Sequence, residues 1–247
     1  MWNPNKGFIT QSTNPSSYYL NFPTTGANNL YFDLDIAGSG PLEWGPPIKQ
    51  SGITVTVTPN STGTSVKVTL TGPTASEEQW MWDVISEPTN VEKSKMKISK
   101  PQLPQIFELI GKDNNGNTIV KYGFELRQWF VNRNQKTDTA PNQNSWCSYT
   151  GYRLASVEDL TNAIYYGAVS ATTASSGNYY QRRIGAGLFT EWGNMEAYIG
   201  EYNAQFYHGL YWTSVVDNGN LLNVGSQEGT IYSHVPYLMH FAVCVTP

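Results

Sequence analysis

The sequence is poor in charge. Only 14% of its 247 residues are Asp, Glu, Lys or Arg, with 15 basic against 19 acidic side chains and a formal net charge of −4. No run of Lys or Arg is long enough to track a phosphate backbone, which argues against a nucleic-acid partner. The densest basic stretch, Lys93, Lys95, Lys97 and Lys100, is interrupted at nearly every step and reads as a solvated strand and linker. Long apolar runs are also missing. Nothing approaches the roughly 18 residues that a membrane helix needs, and no basic–apolar–small signal segment follows Met1. The chain is therefore expected to be soluble as written and not to insert in a membrane, a piece of a longer protein whose targeting and anchoring segments lie elsewhere.

Histidine is scarce too, with three, His208, His234 and His240. Their spacings fit neither H-x-x-x-H nor any order of a nucleophile–base–orienter triad, so catalysis is not expected. Asp33 and Asp35 share a strand face, but a solvated face explains them better than a working carboxylate pair. There are two cysteines, Cys147 and Cys244, 97 positions apart, which is no metal-ligand spacing. Two unrelated buried thiols would satisfy the count, while an even number in a low-charge, Thr- and Asn-rich chain favours a disulfide. Such a bond would stabilise by about 4–5 kcal/mol on the chain-entropy model. No cofactor or metal site is indicated.

What the chain does have is 16 Tyr, 8 Trp and 9 Phe among many Thr, Ser, Asn and Gly, the palette of β-rich extracellular proteins. With 39% hydrophobic residues, 247 residues suit two ordinary cores. The first hundred residues alternate with period two. Phe32, Leu34 and Ile36 oppose Tyr31, Asp33 and Asp35; Ile53, Val55 and Val57 oppose Thr54, Thr56 and Thr58; Val66, Val68 and Leu70 oppose Lys67, Thr69 and Thr71. Trp80, Trp82 and Val84 read as a further strand. Turn chemistry at Gly38–Ser39–Gly40–Pro41, Pro59–Asn60 and Gly72–Pro73 separates these runs, which predicts a β-sandwich over 1–100. The prolines of Lys100–Pro101–Gln102–Leu103–Pro104 mark a boundary, placing a second domain at 105–247.

In that second part, Ile106–Ile110 and Thr118–Val131 flank Asn114–Asn115–Gly116–Asn117 as a hairpin. Ser156 and Asp159 form a capping-box pattern, after which Val157, Leu160 and Ile164 recur at helical spacing; an upstream helix is expected through Asn144, Trp146 and Cys147. Strand-like runs close the chain at Leu210–Val215, Leu221–Val224 and His240–Val245.

The words Trp146–Cys147, Gly151–Tyr152–Arg153–Leu154, Glu158–Asp159–Leu160, Glu191–Trp192–Gly193–Asn194–Met195, Tyr211–Trp212–Thr213–Ser214 and Ala242–Val243–Cys244 stand in an order that resembles the terminal domain of intimin/invasin-type adhesins. The resemblance covers about residues 105–247 and implies a C-type-lectin-like fold. The whole chain is then mostly β, an N-terminal immunoglobulin-like β-sandwich followed by an α+β C-type-lectin-like domain. It also implies a Cys147–Cys244 disulfide, anchoring in an outer membrane through a segment outside this chain, display at the bacterial cell surface, and virulence-type adhesion to a host-cell surface receptor. Self-association of such tips and a phage receptor-binding protein on the same scaffold are the alternatives.

Two family properties do not carry over. Calcium-dependent sugar binding needs a cluster of oxygen ligands; Glu87–Pro88–Thr89 lies in the wrong domain and Trp212–Thr213–Ser214 lacks a carboxylate. Integrin recognition in this family needs an exposed Asp soon after the first Cys, and Cys147–Leu154 contains no acid. The expected receptor surface comprises aromatic-polar loops containing Tyr180, Arg182, Arg183, Tyr202, Tyr207, Asp217, Asn218, Glu228, Tyr232 and His234. Tyr and Arg give large amphipathic contact at modest entropic cost.

Overall fold

In a computed structural model, residues 1–38, 40–84, 88–166, 168, 169, 173–200 and 202–247 are described. Ser39 of the expected first turn and Glu87 lie outside them. The chain opens with a short pair, β1 (Trp2–Asn3) and β2 (Gly7–Phe8), a 3-10 turn at Pro15–Leu20, and β3 (Thr25–Ala27). The alternating runs follow as β4 (Tyr31–Asp35), β5 (Glu43–Trp44), β6 (Ile48–Gln50), β7 (Ile53–Pro59) and β8 (Ser65–Thr71). Four of them form an antiparallel sheet in the order β4-β8-β7-β6. Ile53, Val55, Val66, Val68 and Leu70 are buried, so the period-two reading identified the inner face.

Trp80, Trp82 and Val84 are not a strand. Ser76 caps the amide of Gln79 and Gln79 answers it, so α1 (Glu77–Met81) forms with two acids in its first turn, and Trp82 follows it. A reciprocal cap and favourable charge at the helix N-terminus outweigh a three-residue alternation. The same pair of interactions at Thr89 and Glu92 starts α2 (Asn90–Met96), with Lys93 and Lys95 in its last turn. Lys93 and Lys95 thus lie in a helix rather than a strand, with Lys97 at its C-cap and Lys100 in the irregular segment beyond.

The expected hairpin forms from β9 (Gln105–Lys112) and β10 (Thr118–Leu126), and Arg127 separates it from β11 (Gln128–Asn132). Here main-chain ladders cross the 100–104 segment in both directions. β9 pairs back with β5 at Gly111 and Lys112, completing the second sheet of the sandwich in the order β10-β9-β5. Conversely, β3 runs parallel to β11, with Trp129 opposite Gly26. Trp129 is wholly buried and donates to the Pro73 carbonyl at 2.8 Å. A Cβ on Gly72 would lie 2.5 Å from its ring, so only glycine fits that approach.

The remainder is built by α3 (Ala140–Thr150), β12 (Arg153–Leu154), α4 (Val157–Leu160), the pair β13 (Ile164–Tyr165) and β14 (Ala168–Val169), and α5 (Leu188–Trp192). A 3-10 turn at Met195–Tyr198 precedes β15 (Leu210–Asp217), β16 (Asn220–Gly225), β17 (Ile231–His234) and β18 (Phe241–Val245). α3 carries Trp146 and Cys147 as expected and ends at Gly151 with φ 91°. α4 has the capping box but stops at Leu160, so Ile164 belongs to a strand and not to a longer helix. Cys147 and Cys244 are bonded, Cα atoms 5.5 Å apart, tying α3 to β18. β18 lies inside its sheet, in the order β17-β16-β15-β18-β11-β3.

Candidate functional site

The β15–β16 hairpin turns through Asn218 (φ 49°) and Gly219 (φ 84°), left-handed at both central residues as a two-residue turn requires. Asp217 caps this turn by accepting from Asn218 Nδ2 at 3.0 Å. Ladder register then sets one face of the β15–β16–β17 sheet. Val216, Leu221 and His234 form one row; Trp212, Asn223 and Tyr232 form the next. Trp212 and Asn223 are fully buried, whereas Val216 is 67% and Tyr232 43% exposed.

His234 lies between these extremes. Its ring is parallel to that of Tyr232, centroids 6.2 Å apart, and its Nδ1 is 2.9 Å from Asn223 Nδ2. His240, held by a backbone bridge to Asp138, packs 4.7 Å from the Trp212 ring and 5.3 Å from His234. Burial and then the neighbouring His234 push the His240 pKa down, so the neutral imidazole is favoured there. The intervening segment presents Tyr237 (71% exposed), Leu238 and Met239 (54%) to solvent. Exposed apolar and aromatic side chains thus stand on β15 (Val216), on the segment between β17 and β18, and, as Tyr232, on the edge strand β17. Beside it, a cleft of about 210 Å³ is lined by His208, Glu228, Thr230 and Tyr232.

Other residues of the expected surface are occupied with packing. Arg182 donates to the carbonyls of Thr190 (3.1 Å) and Glu191 (2.6 Å), the open end of α5, and its guanidinium stacks 4.1 Å from the Trp2 ring. Tyr180 joins two loops through its hydroxyl to Gln227 O (2.7 Å) and its amide to Glu228 O (2.8 Å). Tyr202 packs on Tyr31 of the sandwich, with Lys67 over both rings. Tyr207 stacks on Phe241 and exchanges hydrogen bonds with the Tyr211 hydroxyl. Arg183 is exposed and lines a cleft with Trp2, Phe8, Gln11 and Gln181.

The histidines of this surface have structural partners. His234 spends a ring nitrogen on the Asn223 amide, and His208 Nδ1 lies 3.7 Å from a Glu196 carboxylate oxygen. The Trp212–Thr213–Ser214 word serves the fold: Trp212 Nε1 donates to Asp138 O at 3.1 Å and Thr213 Oγ1 to Leu222 O at 2.7 Å. Among the described residues, no three His, Cys, Asp or Glu side chains are grouped to hold a metal ion. Asp33, on the sandwich, is 3.6 Å from Lys67.

No protein-family model matches the sequence, and no curated protein does. Among solved structures, invasin, described as a bacterial integrin-binding protein, aligns over 91% of this chain and 35% of its own at 16% identity, with a TM-score of 0.55. The chain has the invasin fold. It spans about a third of that protein's length. An intimin–Tir90 complex (14% identity, 91% of this chain and 88% of that one, TM-score 0.48) and an intimin mutant of EHEC O157:H7 (13%, 90% and 87%, 0.46) also align. As in the expectation drawn from the sequence, an immunoglobulin-like sandwich precedes a lectin-like part in a mostly β chain. Within this invasin fold, Val216, Leu238 and Met239 were not foreseen as surface residues. A signal existed for the last two, since Pro236–Tyr237–Leu238–Met239 is an apolar run that starts with a helix- and ladder-breaking residue. Val216 lies beyond an irregularity in the β15–β16 register, which alternation cannot locate.

Proposed function

We propose that this chain is the receptor-facing part of a bacterial surface adhesin, binding a protein on the host cell without calcium and without catalysis. The sandwich, extended to about Arg127 by the β9–β10 hairpin, is a spacer. The contact is made by Val216, Tyr232, Tyr237, Leu238 and Met239. These exposed side chains carry the reading: two Tyr with Val, Leu and one Met, uncharged and set on or beside a disulfide-tied sheet, and Tyr is a residue enriched at binding hot spots. The invasin fold supports an adhesive role. Integrin is not the partner we assign, because Asp159 is buried against Arg153, with contacts of 2.5 and 3.0 Å, and no acid lies between Cys147 and Leu154.

Binding of the purified chain to host-cell surfaces, with and without EDTA, tests this. A Tyr232→Ala, Tyr237→Ser, Met239→Ser variant that melts like the parent is expected to bind at least about tenfold more weakly, a loss of about 1.4 kcal/mol. Asp33→Ala should bind as the parent does, and EDTA should change nothing. Unchanged binding by the folded triple variant, or calcium-restored binding, overturns the reading. If gel filtration instead shows concentration-dependent dimers that the triple variant lacks, these side chains serve self-association.

A further inference from the structure

The smaller sheet of the sandwich is unfinished. β10 lies along one side of β9 for its whole length, from Leu126 opposite Gln105 to Thr118 opposite Lys112. On the other side β5 covers only Gly111 and Lys112. Among the described residues, no strand lies against that second edge from Gln105 to Ile110. Alternate residues of an antiparallel strand turn their N–H and C=O groups outward, so about three donors and three acceptors stand unpaired along about 20 Å. The cause is local. After two residues of β5, Gly45–Pro46–Pro47 carries the chain across to β6 in the other sheet, and prolines cannot extend a ladder.

Proteins usually blunt such an edge with charge, proline or a covering loop. Here the Pro46–Pro47 turn lies beside the edge without pairing with it, and over Glu108, Leu109 and Ile110 the edge borders a cleft of about 490 Å³ lined from across by Trp44, Pro46, Pro47, Ile48 and Val57. Trp44 reaches over Gly111, where a Cβ would lie 2.9 Å from its ring, so the glycine admits the indole that roofs one end. Unpaired main chain beside an apolar trough is the arrangement that accepts an added strand, main-chain bonds giving affinity and alternate side chains filling the trough.

We propose that this cleft binds an extended segment of another polypeptide, taken up as a strand alongside β9. A glycan or small apolar ligand would fill the trough yet leave the strand's donors and acceptors unmet at their fixed spacing. A second copy is a poor occupant, because symmetric pairing would have to bring one recessed β9 edge against another, each inside a cleft between two sheets. Glu43, Glu108 and Lys112 also line the cleft, both signs together, so selection falls on alternating apolar side chains and not on net charge.

Amide hydrogen exchange on the full chain tests it, with acetyl-Lys-Val-Thr-Val-Thr-Val-Lys-amide as probe and the same peptide N-methylated at every residue as control. The probe should slow exchange of the outward amides between Gln105 and Ile110 by about tenfold or more, and the methylated peptide should not. Val57→Trp, which fills the trough, and Ile48→Arg, which charges it, should each abolish the effect while the remaining amides keep their protection. Absence of slowing overturns the proposal, as does equal binding of the methylated peptide, which would make the site a plain apolar pocket. Protection that grows with the concentration of the chain alone would make the occupant a second copy and equally overturn it.

Discussion

Glu191 illustrates what a single residue does here and how little of it the sequence discloses. It is wholly buried and accepts from five donors: the amides of Thr24 (3.1 and 3.2 Å, shared between both oxygens), Thr25 (2.9 Å) and Gly185 (2.7 Å), and the hydroxyls of Thr24 (2.7 Å) and Thr25 (2.5 Å). Burial pushes its pKa up, and these donors oppose that shift. Glu191→Gln would turn an amide N–H₂ toward groups that are themselves donors. We expect it to destabilise by about 2–4 kcal/mol in urea unfolding, whereas a surface acid such as Glu77→Gln should cost less than about 0.5 kcal/mol. A loss below 1 kcal/mol at Glu191 would show that the donors find other partners. In the sequence Glu191 stands out only as part of a motif word. Gly185 is six residues away, but the other partners, Thr25 and Thr24, lie 166 and 167 positions upstream, and no local pattern can encode a contact of that range.

At the scale of elements, legibility follows the range of the interactions. The inner faces of β7 and β8 were readable because alternation is a local consequence of the pleat. α4 was readable because its cap is closed within three residues, Ser156 Oγ accepting from the Asp159 amide and Asp159 from the Ser156 amide at 2.7 Å. α1 was misread because Trp80 and Trp82 mimic alternation, although Ser76 and Gln79 carried the correct signal. β17 was missed because its four residues alternate weakly and owe their state to β16. The α4 cap also sets an acid response. Burial raises the Asp159 pKa, but hydrogen bonds from Arg153 and Ser156 more than offset it, and the carboxyl titrates below its ordinary value. Its contribution is therefore present above the ordinary Asp pKa of about 3.9 and is lost as pH falls through the lower folded value. Asp159→Asn should cost about 1–3 kcal/mol at pH 7, discounted because Arg153 is half-exposed, and should flatten the fall in melting temperature below about pH 4. A parallel acid limb in parent and variant would assign that response to other carboxyls.

For the whole molecule, an immunoglobulin-like and a lectin-like part are both present, but they are sewn together more tightly than a proline-rich linker suggests. β3 crosses from one to β11 of the other, Glu191 holds Thr24 and Thr25, and Arg133, fully buried, donates to the Trp80 and Trp82 carbonyls while pairing with Asp138 at 3.2 Å. Calorimetry should accordingly show one unfolding transition for the oxidised chain. Reducing Cys147–Cys244 should lower its midpoint, by up to about 4–5 kcal/mol of stability, and split it if the sandwich outlives the lectin-like part. Two transitions in the oxidised chain would mean that the crossing contacts do not couple the parts.

The place of β18 bears on when the molecule can take shape. It emerges after every other strand of its sheet, yet it sits between β15 and β11, pairs with β12, and supplies Cys244. Until those five residues are available, β11 and β15 have no common neighbour and α3 no covalent tether. During synthesis the β15–β16–β17 ladder and the β3–β11 pair can form beforehand, but the two halves of the sheet join only when β18 inserts between β15 and β11, so the lectin-like part closes last, after the sandwich strands β4 to β8 have emerged.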